Sequence, residues 1–182
     1  MSLTQLKLRL ATLVDVPALH ALIERSVWGL QMADYSPEQI NAALGTLLGV
    51  DTQLIRDGTY LVAEVNGELA GCGGWSRRKT LFGSDGRSGR ENALLDSASA
   101  AAKIRAFFLE PAWARRGVGS AILVACERAV AEARFRSFEM GATLTGVPLY
   151  LARGYRILDR IEAPLSNGLS LPIVLMSKEA AH

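Results

Sequence analysis

The sequence has little of what would mark a specialised class. Only two cysteines, Cys72 and Cys126, occur in 182 residues. They show no metal-ligand spacing and cannot build a disulfide framework, so they are expected as buried free thiols acting as small apolar residues. No run of about 18 apolar residues exists, and nothing is expected to span a membrane. Residues Met1 to Ala11 lack the apolar stretch of a secretory signal, and a cytoplasmic location is expected. Charge of one sign is also missing: 20 Lys and Arg stand against 18 Asp and Glu, a net +2. The basic residues are scattered, which argues against nucleic acid or an acidic membrane as partner. What remains is ordinary globular composition, 49% hydrophobic and 21% charged, and it excludes a disordered chain. No internal repeat is present. Residues 1–182 are expected to form a single soluble domain, large enough to bury a core without staples.

The pattern along the chain predicts seven strands and four helices. Leu6–Ala11 alternates Leu6, Leu8 and Leu10 with Lys7 and Arg9, as a strand does. A helix starts near Asp15, an N-cap, with Pro17 in its first turn and a stripe of Leu19, Leu22, Ile23 and Val27. A second starts at Ser36-Pro37-Glu38-Gln39, a capping box, and continues through Ile40, Ala43, Leu44, Leu47 and Leu48. Thr59–Val65 and Glu68–Trp75 flank Asn66-Gly67, a two-residue hairpin turn. Thr80 to Ala100 is polar and rich in Gly and Ser, and reads as a long mobile loop of the kind that often carries function. Ala102–Leu109 is a strand, Gly119–Arg134 an amphipathic helix, Phe138–Leu144 a strand, and Val147–Arg153 a short helix with Gly154 past its end. Tyr155–Glu162 and Leu171–Ser177 pair across Ser166-Asn167-Gly168. The order β-α-α-β-β-β-α-β-α-β-β combines a parallel crossover with flanking hairpins. It predicts an α/β (α+β) fold: one mixed sheet with helices on both faces.

The chemistry concentrates between Ile104 and Val124. A strand breaks at Pro111, and Arg115-Arg116-Gly117-Val118-Gly119-Ser120 opens a helix. The first amides of a helix have no partner within it and carry the positive end of its dipole. Glycines let an anion approach, so the turn suits a pyrophosphate. A P-loop is excluded because no Lys follows Gly119, and a Rossmann fingerprint because its third glycine would fall at Ile122.

This stretch resembles motif A of the GCN5-related N-acetyltransferases. Phe107-Phe108-Leu109-Glu110-Pro111 matches the family's strand end, and Gly117 and Gly119 match its glycines. Ala114 stands where the family prefers Gln or Arg. A second segment, Val147 to Tyr155, resembles the family's F-Y-x-x-x-G-[FY]: Tyr150, Gly154 and Tyr155 match, Leu149 replaces Phe, and Thr143 stands in place of an upstream Asn. The resemblance implies a GNAT-like sheet of about seven strands and acetyl-CoA as cosubstrate, with no metal. It implies that the amides of Arg115, Arg116, Gly117, Val118, Gly119 and Ser120 hold the coenzyme A pyrophosphate. The backbone at Phe107, Phe108 and Leu109 would take the pantetheine arm as an added strand, with Arg153 also on the coenzyme side and donors near Leu109 polarising the thioester.

By the same resemblance Tyr150 would protonate the departing thiolate, a phenol near pKa ~10 against a thiol near ~8.5. The acceptor amine must lose a proton, for which Glu139 is the first carboxylate candidate and Glu110 the second. His20 reads as a surface or packing residue. Trp28, Tyr35 and Trp75 are candidates to line the acceptor pocket, or to be core. The expected function is direct transfer of acetyl to a small-molecule or peptide amine, without an acyl-enzyme. The alternatives are a non-catalytic acyl-CoA-binding regulatory module and a protein-interaction domain with an unused glycine turn. Homodimers are frequent in the family; the sequence itself is silent on assembly.

Overall fold

A computed structural model describes residues 5–181. The elements run β1 (Leu6–Leu10), α1 (Val16–Leu30), α2 (Pro37–Ala43), α3 (Thr52–Arg56), β2 (Tyr60–Val65), β3 (Glu68–Ser76), β4 (Ala102–Leu109), α4 (Val118–Glu132), β5 (Ser137–Thr143), α5 (Val147–Ala152), β6 (Arg156–Pro164) and β7 (Ser170–Glu179). The strands form one seven-stranded sheet in the order β1-β2-β3-β4-β5-β7-β6. The β4–β5 pair is parallel, because α4 carries the chain back between them, and every other pair is antiparallel. The expected GNAT-like mixed sheet is thus observed. The β2–β3 turn has Asn66 at φ 55° and Gly67 at φ 80°, both left-handed as this hairpin requires.

Each face of the sheet has its own apolar layer. On one, Leu19, Leu22, Ile23 and Val27 of α1 meet Tyr60, Val62, Cys72 and Phe108. On the other, Ile122, Leu123, Cys126 and Val130 of α4 meet Trp75, Phe138 and Met140. Fully burying each such Leu, Ile or Val contributes about 1.5–3 kcal/mol. Among the described residues no helix is long and apolar enough to cross a membrane.

Several expectations need correction. Asp15 does not cap α1 through its side chain. Its carboxylate instead binds the Arg9 guanidinium at 2.9 Å and accepts from the Thr12 amide at 2.7 Å, closing a tighter turn (Leu13–Asp15) one step earlier. The second helix keeps its Ser36–Gln39 capping box but stops at Ala43, since Gly45 turns left-handed at φ 82°. Leu48 is still buried, so the periodicity reported burial and not helix. The short α3, capped by Asp51, was not anticipated. The segment expected to be a mobile loop is tied down. Arg105 donates to the carbonyls of Thr80 (3.0 Å) and Gly83 (2.7 Å), the Ser84 amide donates to Thr46 (2.7 Å), and the Asp85 amide donates to Val50 (3.1 Å).

Candidate functional site

The parallel strands β4 and β5 pair only at Ala102–Phe138 and Lys103–Glu139. Beyond that point they part and leave the β5-facing edge of Ile104 to Leu109 without a partner strand. The cause is a bulge. Against β3, Gly74 pairs with Arg105 and Cys72 with Phe108, so Gly73 alone faces both Ala106 and Phe107. Ala106 is left-handed at φ 55°, and one extra residue bends its strand away. Two glycines of β3 permit this. A Cβ on Gly73 would lie 2.7 Å from the Phe107 ring, and one on Gly74 2.4 Å from the Thr59 carbonyl oxygen. The buried Tyr60 hydroxyl donates to the Ala106 carbonyl at 2.8 Å and holds the distortion from below.

The split forms a narrow cleft lined by Ala106, Phe107, Met140, Gly141, Thr143 and Tyr150, among others, with a volume near 60 Å³. Tyr150 sits in α5, which three residues separate from the end of β5. Its ring packs edge-on against Phe107 (6.1 Å between centroids) and Tyr155 (5.8 Å). Its hydroxyl makes no hydrogen bond to protein among the described residues. Burial pushes the phenol well above the ordinary tyrosine range, so it stays protonated. Both cysteines are buried, and burial pushes the Cys72 thiol up to about 12 and Cys126 higher still. Neither thiol is poised as a nucleophile.

The glycine turn adjoins this cleft. Arg115 (φ 60°) and Gly117 (φ 89°) are left-handed, which gives the concave run of amides that binds anions. The first α4 amide bonded back into the chain is that of Ala121, to Gly117 at 3.0 Å. The amides of Arg115, Gly117, Val118, Gly119 and Ser120 donate to no protein group among the described residues. Arg116 lies over the Trp113 ring at 5.3 Å. Leu149 touches Gly119: a Cβ there would meet its methyl at 3.1 Å, so α5 leans on the start of α4. Arg153 ends α5, and its buried Nε has no partner among the described residues.

The other sequence candidates scatter. The Glu139 carboxylate is held by Lys103 at 2.5 Å, before the split opens. Glu110 is gripped by both nitrogens of a forked contact from Arg25, at 2.9–3.1 Å. Neither lines the cleft. The Leu109 amide, expected as a donor to the thioester, already donates to the buried Ser26 hydroxyl at 3.1 Å. Trp28, Tyr35 and Trp75 do not share one pocket. Trp28 packs on the α1 layer. Tyr35 is buried there too; its hydroxyl donates to the Pro172 carbonyl (2.7 Å) and accepts from the Leu144 amide (2.9 Å), and burial pushes it up to about 12. Trp75 faces the α4 layer, edge-on to Phe135 at 6.2 Å, because strand side chains alternate. Ser26, Tyr60 and the Gly73-Gly74 pair were missed. Ser26 had a signal, as a polar residue inside the apolar stripe of α1; so did the glycines, since glycine within a strand marks a bulge or close approach.

This geometry coincides with a family pattern. The model of the Acetyltransferase (GNAT) family matches residues 25–155. Similar solved structures include a GCN5-related N-acetyltransferase from Rhodopseudomonas palustris, with TM-score 0.72 and 19% identity over 98% of each chain. The PaiA N-acetyltransferase from Thermoplasma acidophilum, in complex with coenzyme A, gives TM-score 0.65 and 14% identity over 98% of this chain and 99% of that one. The ribosomal-protein-S18-alanine N-acetyltransferase from Escherichia coli gives TM-score 0.59 and 14% identity over 97% and 95%. No curated protein matches in sequence. At such identities the likeness speaks for the fold; the family match spans both the bulged strand with its glycine turn and the segment bearing Tyr150, and by it this chain belongs to the GNAT acetyltransferase family.

Proposed function

We propose that the protein is an acetyl-CoA-dependent N-acetyltransferase acting by direct transfer, with Tyr150 as general acid. The observation that carries this reading is the unbonded Tyr150 hydroxyl beside the cleft where β4 and β5 part. The residues fit the cosubstrate. The amides of Arg115, Gly117, Val118, Gly119 and Ser120, which donate to no protein group among the described residues, suit a pyrophosphate, and Arg153 adds a cation. The open edge at Phe107, Phe108 and Leu109 suits the amides of the pantetheine arm. The thioester supplies the acetyl group. The neutral amine attacks its carbonyl carbon, the C–N bond forms, the C–S bond breaks, and Tyr150 gives its proton to the sulfur. Burial keeps the phenol protonated, so its proton is available when the sulfur departs as a thiolate.

The amine's proton has no carboxylate to receive it in the cleft lining, since Glu139 and Glu110 are held by Lys103 and Arg25. Deprotonation is therefore assigned to solvent, and Glu139 is not carried forward as base. The same observation favours the second reading, an acyl-CoA-binding module without turnover. Amine-dependent turnover by the wild-type protein separates them, and Tyr150→Phe tests the acid. Turnover should fall by about 10²–10⁴-fold, the usual worth of a general acid, while calorimetry finds acetyl-CoA binding nearly unchanged. Equal turnover in both proteins would remove Tyr150 from the mechanism.

A further inference from the structure

Behind the cleft lies a second, larger cavity that neither the coenzyme nor Tyr150 accounts for. Its volume is near 500 Å³, and Thr46, Arg87, Ser88, Glu162, Pro164 and Ser166 are among its lining residues. That is the size of a small-molecule site, whereas the 60 Å³ cleft has room for little more than an acetyl-sized group, about two waters' worth. Two residues line both cavities: Leu47 and Phe82. Phe82 stands in the parted strands themselves. Its ring lies where a Cβ on Gly141 of β5 would be, 2.7 Å from Cδ1, so the absence of a side chain at Gly141 makes its seat.

The ring is fixed by the segment that carries it. Arg87 stacks over Phe82 at 4.2 Å and donates to its carbonyl at 2.6 Å. From β4, Arg105 holds the carbonyls on either side, Thr80 and Gly83. Arg105 and Arg90 share the buried Asp51 carboxylate at 2.8 and 2.7 Å. A buried ion cluster of this kind is weak evidence for stability, but its contacts tie segment 80–90 to β4 and to the start of α3. The polar outer wall, with one carboxylate at Glu162 and one guanidinium at Arg87, fits a compact amine that carries a further polar group.

We infer that Phe82 is the partition between the transfer cleft and an acceptor pocket, and that segment 80–87 sets the size of the amine that reaches the thioester. The inference rests on the cleft being the acetyl-CoA site. Phe82 is a positioning residue: it excludes water from the thioester and limits the acceptor, and takes no proton. Phe82→Ala joins the two cavities. Acceptor-free hydrolysis of acetyl-CoA should then rise several-fold, and the kcat/KM ratio of benzylamine to ethylamine should rise about tenfold or more, the range that small changes in pocket size produce. Phe82→Leu should restore both toward wild type.

A readout without turnover uses the inert native thiols. In a Thr143→Cys background, where the new thiol lines the cleft, Phe82→Ala should speed its modification by a charged methanethiosulfonate about tenfold, since access controls the rate. Calorimetry with acetyl-CoA keeps the two ideas apart. If wild type and variant both bind it, and hydrolysis, size ratio and thiol modification are all unchanged, the partition is overturned while the cleft reading stands. If wild type does not bind acetyl-CoA, the cleft reading falls and the partition with it.

Discussion

Tyr60 and Ala106 show how single residues set the site. The phenol lies wholly inside the sheet's lower layer and satisfies the carbonyl of a residue held left-handed at φ 55°. Tyr60→Phe would leave that carbonyl unpaired, at about 1–3 kcal/mol, which for a chain of this size is several degrees of Tm. It should also weaken acetyl-CoA binding, because the bulge that opens the cleft loses its prop. Thermal unfolding and calorimetry of the variant check both; an unchanged Tm would show the bond to be idle. The place of Tyr150, in a short helix just beyond β5, was legible in the sequence, since it sits in a short matched segment four residues before Gly154. Tyr60 was not. Its partner is 46 residues away, and nothing local distinguishes it from any tyrosine in a hairpin strand. The pairing of Glu139 was hidden for the mirror reason: its strand position was legible, but the Lys103 that holds it comes from a neighbouring strand.

Elements were legible where local signals agreed. The Asn66-Gly67 turn, the Ser36 capping box and the apolar stripe of α4 each rest on chemistry within a few residues, and each is present. The second helix was overextended because Leu44, Leu47 and Leu48 keep helical spacing while the backbone turns at Gly45. The 80–100 segment looked loose because much of its order comes from Arg105, Thr46 and Val50, outside the segment, and the rest from backbone bonds back to Arg77 and Lys79 that no turn signal announces. The join of β1 to α1 depends on Arg9, which binds both Asp15 and Glu64 at 2.9 Å. Hydrogen bonding from Arg9 is the main force holding Asp15 at about 2, below its ordinary 3.8. A carboxyl whose folded pKa is depressed stabilises above its unfolded value and loses that stabilisation as pH falls. The Arg9–Asp15 contribution is therefore complete above about pH 4 and fades toward pH 2. Asp15→Asn should cost up to about 1 kcal/mol at pH 7, as expected of a partly exposed pair, and only a small part of that near pH 2. Chemical denaturation at the two pH values tests this, and an equal loss at both would contradict it.

At the scale of the whole molecule, the order of the strands and of the four helices other than α3 was readable, and the opening between β4 and β5 was not. Counting strands and helices predicts a mixed sheet. It does not predict that β4 and β5 pair at two positions and then separate, because that follows from one extra residue in β4 set against a glycine pair in β3. The cleft, the amides of the glycine turn and Tyr150 come together only through that separation. We propose that this assembly transfers acetyl to an amine. The most direct test is release of free coenzyme A thiol from acetyl-CoA by the wild-type protein across a panel of primary amines. Saturable release that depends on at least one amine is expected. Bound acetyl-CoA with no amine-dependent release from any member of the panel would contradict it and leave a binding module.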